Sequence, residues 1–323
     1  MKAIVQDTYG SADVLELRDI ERPQIADDEV LVRVHAAGVD PSVWHLMTGL
    51  AYVIRLAGFG LRAPKTPVRG SDLAGVVAAV GTNVTRFQPG DAVFGIGKGA
   101  FAEYARASED KLAPKPAILT FDQAAAVGIS GSTALQGLRD HARVRPGQDV
   151  LIVGASGGVG SYAVQLAKAF GAQVTGVCST SKVDLVRSLG ADHVIDYARD
   201  DFADGERRYD VILDIGGNSS LSRLRRALAP RGTLTIVGGE GGGRWLGGID
   251  RLLRAHLLSL FVSQQLGSFI NRENHQDLLV LADLIEAGKV MPAIDRTYPL
   301  GEAPNAIRYM EQGNARGKVV ITV

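Results

Sequence analysis

The sequence is short of thiols, of net charge and of long apolar runs, and each shortage removes a class of protein. Its one cysteine, Cys178, allows no internal disulfide and points to a reducing compartment. Lysine plus arginine and aspartate plus glutamate stand at 35 each, so no net field draws the chain to nucleic acid or to an anionic membrane. No stretch comes near the roughly 18 uninterrupted apolar residues of a membrane span. The opening "MKAIVQDTYG" has neither the apolar core nor the cleavage site of a secretion signal. A cytoplasmic protein is expected, with no nucleic acid and no membrane as partner. The 323 residues, 46% hydrophobic and 22% charged, are ordinary for globular chains and long enough for two domains. Glycine, at 39 residues, is the one abundance, and its placement carries information.

Residues 1 to 120 read as β-rich: "EVLVRVHAAGV" and "GVVAAVGTNV" are rich in β-branched and small residues, and "QPGD" supplies a turn. A partly closed barrel is expected there. From 121 onward the rhythm changes. The helical run "FDQAAAVGISGSTALQGLRDH" is followed by alternating short apolar runs and helical stretches, beginning with "DVLIVG" and "GVGSYAVQLAKAFG". Short strands buried on both faces, alternating with helices, predict a doubly wound parallel sheet of the Rossmann type. "LLSLFVS" (257–263) is read as its sixth strand. Helices over 275–288 and 302–312, with "AIDRTYPL" and "GKVVITV", return to the β-rich character of the first third. The expected domains are therefore a discontinuous one, 1–122 with 268–323, and an inserted one, 123–267.

"VLIVGASGGVGSYAVQLAKAFG" puts Gly154, Gly157, Gly158 and Gly160 between a buried strand and a helix. A pyrophosphate needs close backbone approach, free N–H groups and the positive end of a helix dipole, and this junction offers all three. Ser156, Gly157, Gly158 and Val159 are the candidates to face it. At the end of the next strand, where NAD enzymes usually carry an acid for the ribose 2′-hydroxyl, the chain has Cys178, Ser179 and Thr180, then Lys182. Hydroxyls and a cation without a carboxylate suit a 2′-phosphate, so NADPH is expected over NADH, with Tyr197 from the following strand able to reach the same place.

The motifs "AAGVDPSVWHLMTG" (36–49), "VRGSDLAGVVAAVG" (68–81), "QPGDAVFG" (88–95), "GASGGVG" (154–160), "GADHVIDY" (190–197) and "RGKVVITV" (316–323) together resemble the zinc-free quinone oxidoreductase-like branch of the medium-chain dehydrogenase/reductase superfamily. The resemblance implies a GroES-like β-rich catalytic domain around an inserted Rossmann domain, with the active site in the cleft between them. Zinc alcohol dehydrogenases of that superfamily carry ligands where this chain has Asp40, Ser71 with Asp72, and Ile129. A metal-free site is therefore expected, and the four-cysteine structural zinc lobe is impossible with one cysteine. His35, His141, His193, His256 and His275 show no ligand spacing. No tyrosine is followed by lysine at the fourth position, as short-chain dehydrogenases require.

Without a Lewis acid the favoured substrates are already electrophilic: quinones, enones and related activated carbonyls that are small and apolar. The candidate catalytic residues are Asp40, Trp44, His45 and Tyr52. An imidazole at 45 could bind the substrate oxygen or donate a proton; a loop-fixing contact is the plainer role. Residues 49–67 read as a substrate-covering loop, a protein-contact flap or a surface helix packed on the barrel. By family analogy Thr133 approaches the nicotinamide, while Asn218 and Gly238 line the cofactor cleft, though ordinary turn chemistry would suit the last two as well. The family also implies a homodimer. The alternatives are a zinc-free alcohol dehydrogenase or carbonyl reductase, and a non-catalytic NADP-binding redox sensor.

Overall fold

The computed structural model describes residues 1–238, 243, 245 and 247–323, with backbone only at Ile54 and Ala57. It divides into two compact units: Met1–Ser132 with Arg272–Gly288 and Pro292–Val323, and Thr133–Asn271 with Lys289–Met291. The expected boundaries, 122/123 and 267/268, fall short of these divisions because the helical stretch after Thr120 begins in the first unit.

The first unit contains strands β1 (Lys2–Val5), β2 (Glu16–Asp19), β3 (Glu29–Val39), β4 (Asp72–Val80), β5 (Ala92–Ile96), β6 (Tyr104–Ser108) and β7 (Leu112–Pro114). Its early helices are α1 (Pro41–Thr48), the short turn α2 (Tyr52–Ile54) and α3 (Phe121–Ala125), with α4 (Gly128–Gln136) crossing into the second unit. The second unit contains β8 (Asp149–Val153), α5 (Gly158–Ala169), β9 (Gln173–Cys178), α6 (Val183–Ser188), β10 (His193–Asp196), β11 (Tyr209–Asp214), α7 (Leu221–Ala227), β12 (Leu228–Ile236), α8 (Ile249–Ser259) and β13 (Gln265–Ser268). The chain returns to the first unit with α9 (His275–Glu286), β14 (Ile294–Pro299), α10 (Ala303–Glu311) and β15 (Lys318–Thr322).

In the first unit a seven-stranded sheet runs β14-β15-β3-β4-β5-β7, with β6 also on β3. The long β3 organises it, and β15 pairs antiparallel along its second half, Val319 opposite Val39. Val30, Val32, Leu73, Val93 and Ile321 on its strands are buried in the core of the unit. Helix α3 starts where the chain supplies a capping box: Thr120 Oγ1 accepts from the Gln123 N–H, and Gln123 Oε1 accepts from the Thr120 N–H.

The second unit is a six-stranded, all-parallel sheet in the order β10-β9-β8-β11-β12-β13, as a Rossmann fold requires. The direction of winding reverses between β8 and β11, which makes their carboxyl ends the switch point where such sheets bind ligands. One expectation fails. The run 257–263 is not a strand: residues 257–259 close α8, and the sixth strand is β13. Leu252 and Leu258 pack on the core around the buried Ala255, while Leu253 and Leu257 stay exposed. A helix apolar on two faces has the unbroken hydrophobicity of a buried strand, which is why length and composition misled.

Candidate active site

The glycine loop of the second unit follows β8 directly. Gly154 has a left-handed φ of 87°, and Gly157 caps α5 without any side-chain oxygen to serve the first-turn N–H groups. The glycines do different jobs. A Cβ on Gly160 would sit 2.1 Å from the Gly154 carbonyl oxygen, so that position is forced by packing of the turn. A Cβ on Gly157 would meet only that same oxygen, at 3.6 Å, so the protein itself leaves room there. Uncapped amides beside open space at a helix N-terminus suit the pyrophosphate of a dinucleotide. Ser156 is buried and Gly158 and Val159 form the first turn of α5.

At the end of β9, Cys178 is buried, and burial together with the Asp196 charge pushes its thiol up to about 11. A thiol so held is protonated near neutrality and is no nucleophile. Ser179 is half-buried, Thr180 exposed, and Lys182 stands at the N-cap of α6. Tyr197 is exposed, its N–H donating to the Cys178 carbonyl at 3.1 Å.

The structure corrects the idea that no carboxylate is near. Asp196 closes β10 directly opposite Cys178, and Thr180 Oγ1 donates to its Oδ2 at 2.6 Å. That hydroxyl bond, with help from the Ala198 N–H and Arg199, holds the Asp196 carboxyl below the usual carboxylate range. Thr180 thus donates to protein, with Ser179 before it and Lys182 at the N-cap of α6 beside it. The signal was present in "HVIDY", where the strand ends on an acid.

Thr133 is buried within α4, and Asn218 is exposed after β11. Gly238 has a local reason to be glycine, since a Cβ would lie 2.0 Å from the Ile215 carbonyl oxygen. The rest of the glycine run that follows, apart from Gly243, lies outside the described residues. Sequence reasoning missed the ion pair beside it: Asp214, fully buried at the end of β11, pairs with Arg251, which also donates to the Ser219 carbonyl at 2.9 Å. Burial raises the Asp214 carboxyl and Arg251 opposes that rise.

In the first unit the candidates cluster on α1. Asp40 is its N-cap, with Oδ1 accepting from the Ser42 N–H at 2.8 Å and from the Ser42 hydroxyl. Its other oxygen, Oδ2, is buried and has no partner among the described residues; the same holds for Trp44 Nε1. The His45 ring packs edge-on to Trp44, centroids 5.0 Å apart. His45 Nδ1 lies 3.1 Å from the Leu50 carbonyl, which can only accept, so the proton sits on Nδ1 and Nε2 is left as the free ring position.

The segment 49–67 is not a long helix, and Ala51 within it is buried. It is a pair of short turns ordered by Arg55, whose guanidinium lies over the rings of Tyr9 (4.2 Å) and Tyr52 (4.8 Å) and donates to the Gly49 carbonyl. Leu56, Phe59 and Leu61 are exposed on it.

The positions that zinc enzymes use for ligands do come together, as something else. Asp72, fully buried at the start of β4, pairs with Lys318 of β15 at 3.1 Å and accepts from the Ile129 N–H at 2.7 Å. Lys318 also donates to Ser130 Oγ at 3.1 Å. Burial pushes the Asp72 carboxyl up to about 6, Lys318 opposes this, and the neighbouring Asp40 adds to it. Sequence reasoning missed Lys318, although a lone cation in the apolar "KVVIT" was a visible signal. Among the described residues no group of three or more histidine, cysteine, aspartate or glutamate side chains could hold a metal, and no helix is long and apolar enough to cross a membrane.

Two family models match the chain: the alcohol dehydrogenase GroES-like domain over residues 26–117 and zinc-binding dehydrogenase over 189–321. The chain is 34% identical to a 2-methylene-furan-3-one reductase from Solanum lycopersicum over 99% of its own length and 79% of the relative's. It is 33% identical to the Homo sapiens quinone oxidoreductase, covering 99% of this chain and 97% of that one. The Escherichia coli quinone oxidoreductase complexed with NADPH superposes with a TM-score of 0.85 at 26% identity, covering all of both chains. Zinc, which the second family model names, does not fit the residues at hand. The Ile129 side chain carries no ligand atom, Ser71 and Asp72 replace the ligand pair, and an ammonium already satisfies Asp72.

Proposed function

The chain belongs to the quinone oxidoreductase-like family of the medium-chain dehydrogenase/reductase superfamily and is an oxidoreductase; from that premise we propose that it reduces quinones, enones or related activated carbonyls with NADPH and without a metal. The carrying observation is the open cradle at Gly157, where room for a ligand adjoins uncapped amides. The nicotinamide, when bound, supplies the hydride.

In this reading the second unit is the nucleotide-binding part. The first turn of α5 takes the pyrophosphate, and Ser179 and Lys182 take the 2′-phosphate. The first unit is the catalytic part. Asp40 Oδ2 and Trp44 Nε1, a buried acceptor and a buried donor on α1 without partners among the described residues, are polar atoms available to a ligand. His45, with Nδ1 tied to Leu50, presents Nε2 to a substrate oxygen, and in its protonated form donates to the developing oxyanion. The exposed Leu56, Phe59 and Leu61 suit the 49–67 segment to an apolar substrate, with Tyr52 as a further donor. The same reading makes the protein cytoplasmic and homodimeric, the latter checked by light scattering.

Absorbance of NADPH and NADH at the reduced-nicotinamide band, followed against a panel of quinones, enones, aldehydes and nitro compounds, tests the proposal. Oxidation with quinones or enones is expected. Binding of NADPH without oxidation across the panel would leave only a nucleotide-binding protein.

A further inference from the structure

The second unit has a cavity that the proposed reaction does not use. Its volume is about 390 Å³, and Arg208, Arg225 and Arg226 line it together with Ser222, Val262 and Gln264. It lies at the amino ends of β11, β12 and β13, since Arg208 precedes β11 and Gln264 precedes β13. The glycine cradle lies beyond the carboxyl ends of the same sheet, roughly 17 Å away along a strand at ~3.3 Å per residue. The two places are therefore distinct.

The arginines are arranged, not scattered. Ser222, Arg225 and Arg226 stand at i, i+3 and i+4 on α7 and so share one face. Gln264, only 8% exposed, donates through Nε2 to the carbonyls of Arg225, Leu228 and Ala229 at 3.0, 3.3 and 3.3 Å. This fixes its amide, and Oε1 then accepts from Arg225 Nε at 2.9 Å. The Arg225 fork is thus held at Nε by a buried side chain, and its terminal nitrogens have no partner among the described residues.

The surrounding acids are already engaged. Asp201 pairs with Arg223 at 2.9 Å and reaches Arg226 at only 3.5 Å. Asp149 pairs with Arg207 at 2.6 Å, and Asp210 accepts from the Asp149 N–H. Among the described residues no carboxylate pairs with Arg208 or Arg225. Arg226 shares Asp201 with Arg223, whereas Arg208, which also donates to the Leu228 carbonyl at 3.5 Å, and Arg225 repel each other unless an anion joins them, and a planar fork fits phosphate oxygens in pairs.

We propose that this cavity is a second binding site, for a phosphate-bearing molecule, separate from the dinucleotide site. Arg208, Arg225 and Arg226 bind the phosphate group, Ser222 adds a hydroxyl, and Val262 gives an apolar wall for whatever carries the phosphate. Two sources share this chemistry. One is a free organic phosphate or diphosphate. The other is a phospholipid headgroup, which the exposed Leu260 and Phe261 just before Val262 would accompany into a bilayer.

The test titrates pyrophosphate calorimetrically into the full chain held at saturating NADP, so that the glycine cradle is filled. One pyrophosphate per chain is expected. Arg225→Gln combined with Arg226→Gln should weaken it at least tenfold while leaving the affinity for NADP unchanged. Arg208→Gln, which leaves the Gln264 network intact, should weaken it severalfold and guards against misfolding of the double variant. Parallel sedimentation with phosphatidylglycerol and phosphatidylcholine vesicles separates the sources. Pyrophosphate binding without vesicle capture assigns a soluble phosphate, and capture by phosphatidylglycerol alone, lost in the same variants, assigns a headgroup. Binding of neither probe, or binding that all the arginine variants leave unchanged, overturns the proposal.

Discussion

Replacing Lys318 by methionine removes the ammonium but keeps most of the side chain's volume, leaving Asp72 buried with only the Ile129 N–H. The consequence depends on pH, and its sign follows from protonation. In the native protein burial raises the Asp72 carboxyl to about 6, so the folded state holds a proton more tightly than the unfolded state. Its contribution to stability is greatest below the ordinary carboxylate value, falls as pH rises toward 6, and is flat above that. Without Lys318 the carboxyl stays protonated in the fold to higher pH, and the decline continues at about 1.4 kcal/mol per pH unit. One and a half units above 6, at pH 7.5, the variant should therefore be about 2 kcal/mol less stable than at pH 6, relative to the parent. That approaches the roughly 3–5 kcal/mol typical of a broken buried pair. Urea unfolding at pH 5, 6 and 7.5 measures it. Pairing Lys318→Met with Asp72→Leu should recover most of the loss, since no charge is then stranded. A deficit equal at all three pH values would refute the assignment of Asp72 as the charged partner.

Gly157→Ala should fold normally and bind NADPH at least tenfold more weakly, whereas Gly160→Ala should lower the melting temperature, because only the second Cβ strikes backbone; cofactor titration and thermal melts distinguish them. Lys182→Glu should weaken NADPH at least tenfold more than NADH, and equal losses would remove Lys182 from the phosphate site. Asp196→Asn takes a negative charge from beside that position and should tighten NADPH severalfold relative to NADH in the same assay. Cys178, its thiol raised to about 11 and buried, should resist iodoacetamide at pH 7.5 in the native protein and react promptly in urea, as mass spectrometry of the adduct would report.

Much of the architecture was legible because the signals were local and repeated: strand and helix alternation gave the parallel sheet, and the glycine loop stood where β8 meets α5. What escaped depended on neighbours distant in sequence. Thr180 could donate to a ligand or to protein, and only the pairing of β10 beside β9 decides that Asp196 takes its hydroxyl. Lys318 looks like an edge cation until β15 lies against β3 and meets Asp72 and Ser130. Gly238 was open to a ligand or a turn role, and the Ile215 backbone supplies a packing reason for glycine there. Residues 257–263 failed for another reason, since apolar side chains on opposite faces of α8 erase the periodicity that separates helix from strand.

The contact between Asp72 and Lys318 spans 246 positions of the chain. As the polypeptide leaves the ribosome, β8 to β13 can pair among themselves while the earlier sheet still waits for its β14 and β15 partners. Domains tend to fold as units in order of synthesis, and distant pairings pay their loop entropy last. The nascent protein would therefore hold a finished six-stranded parallel sheet while the first sheet is unclosed and its acid has no counter-ion. On the proposed reading, the cofactor cradle is then formed before the first unit is complete.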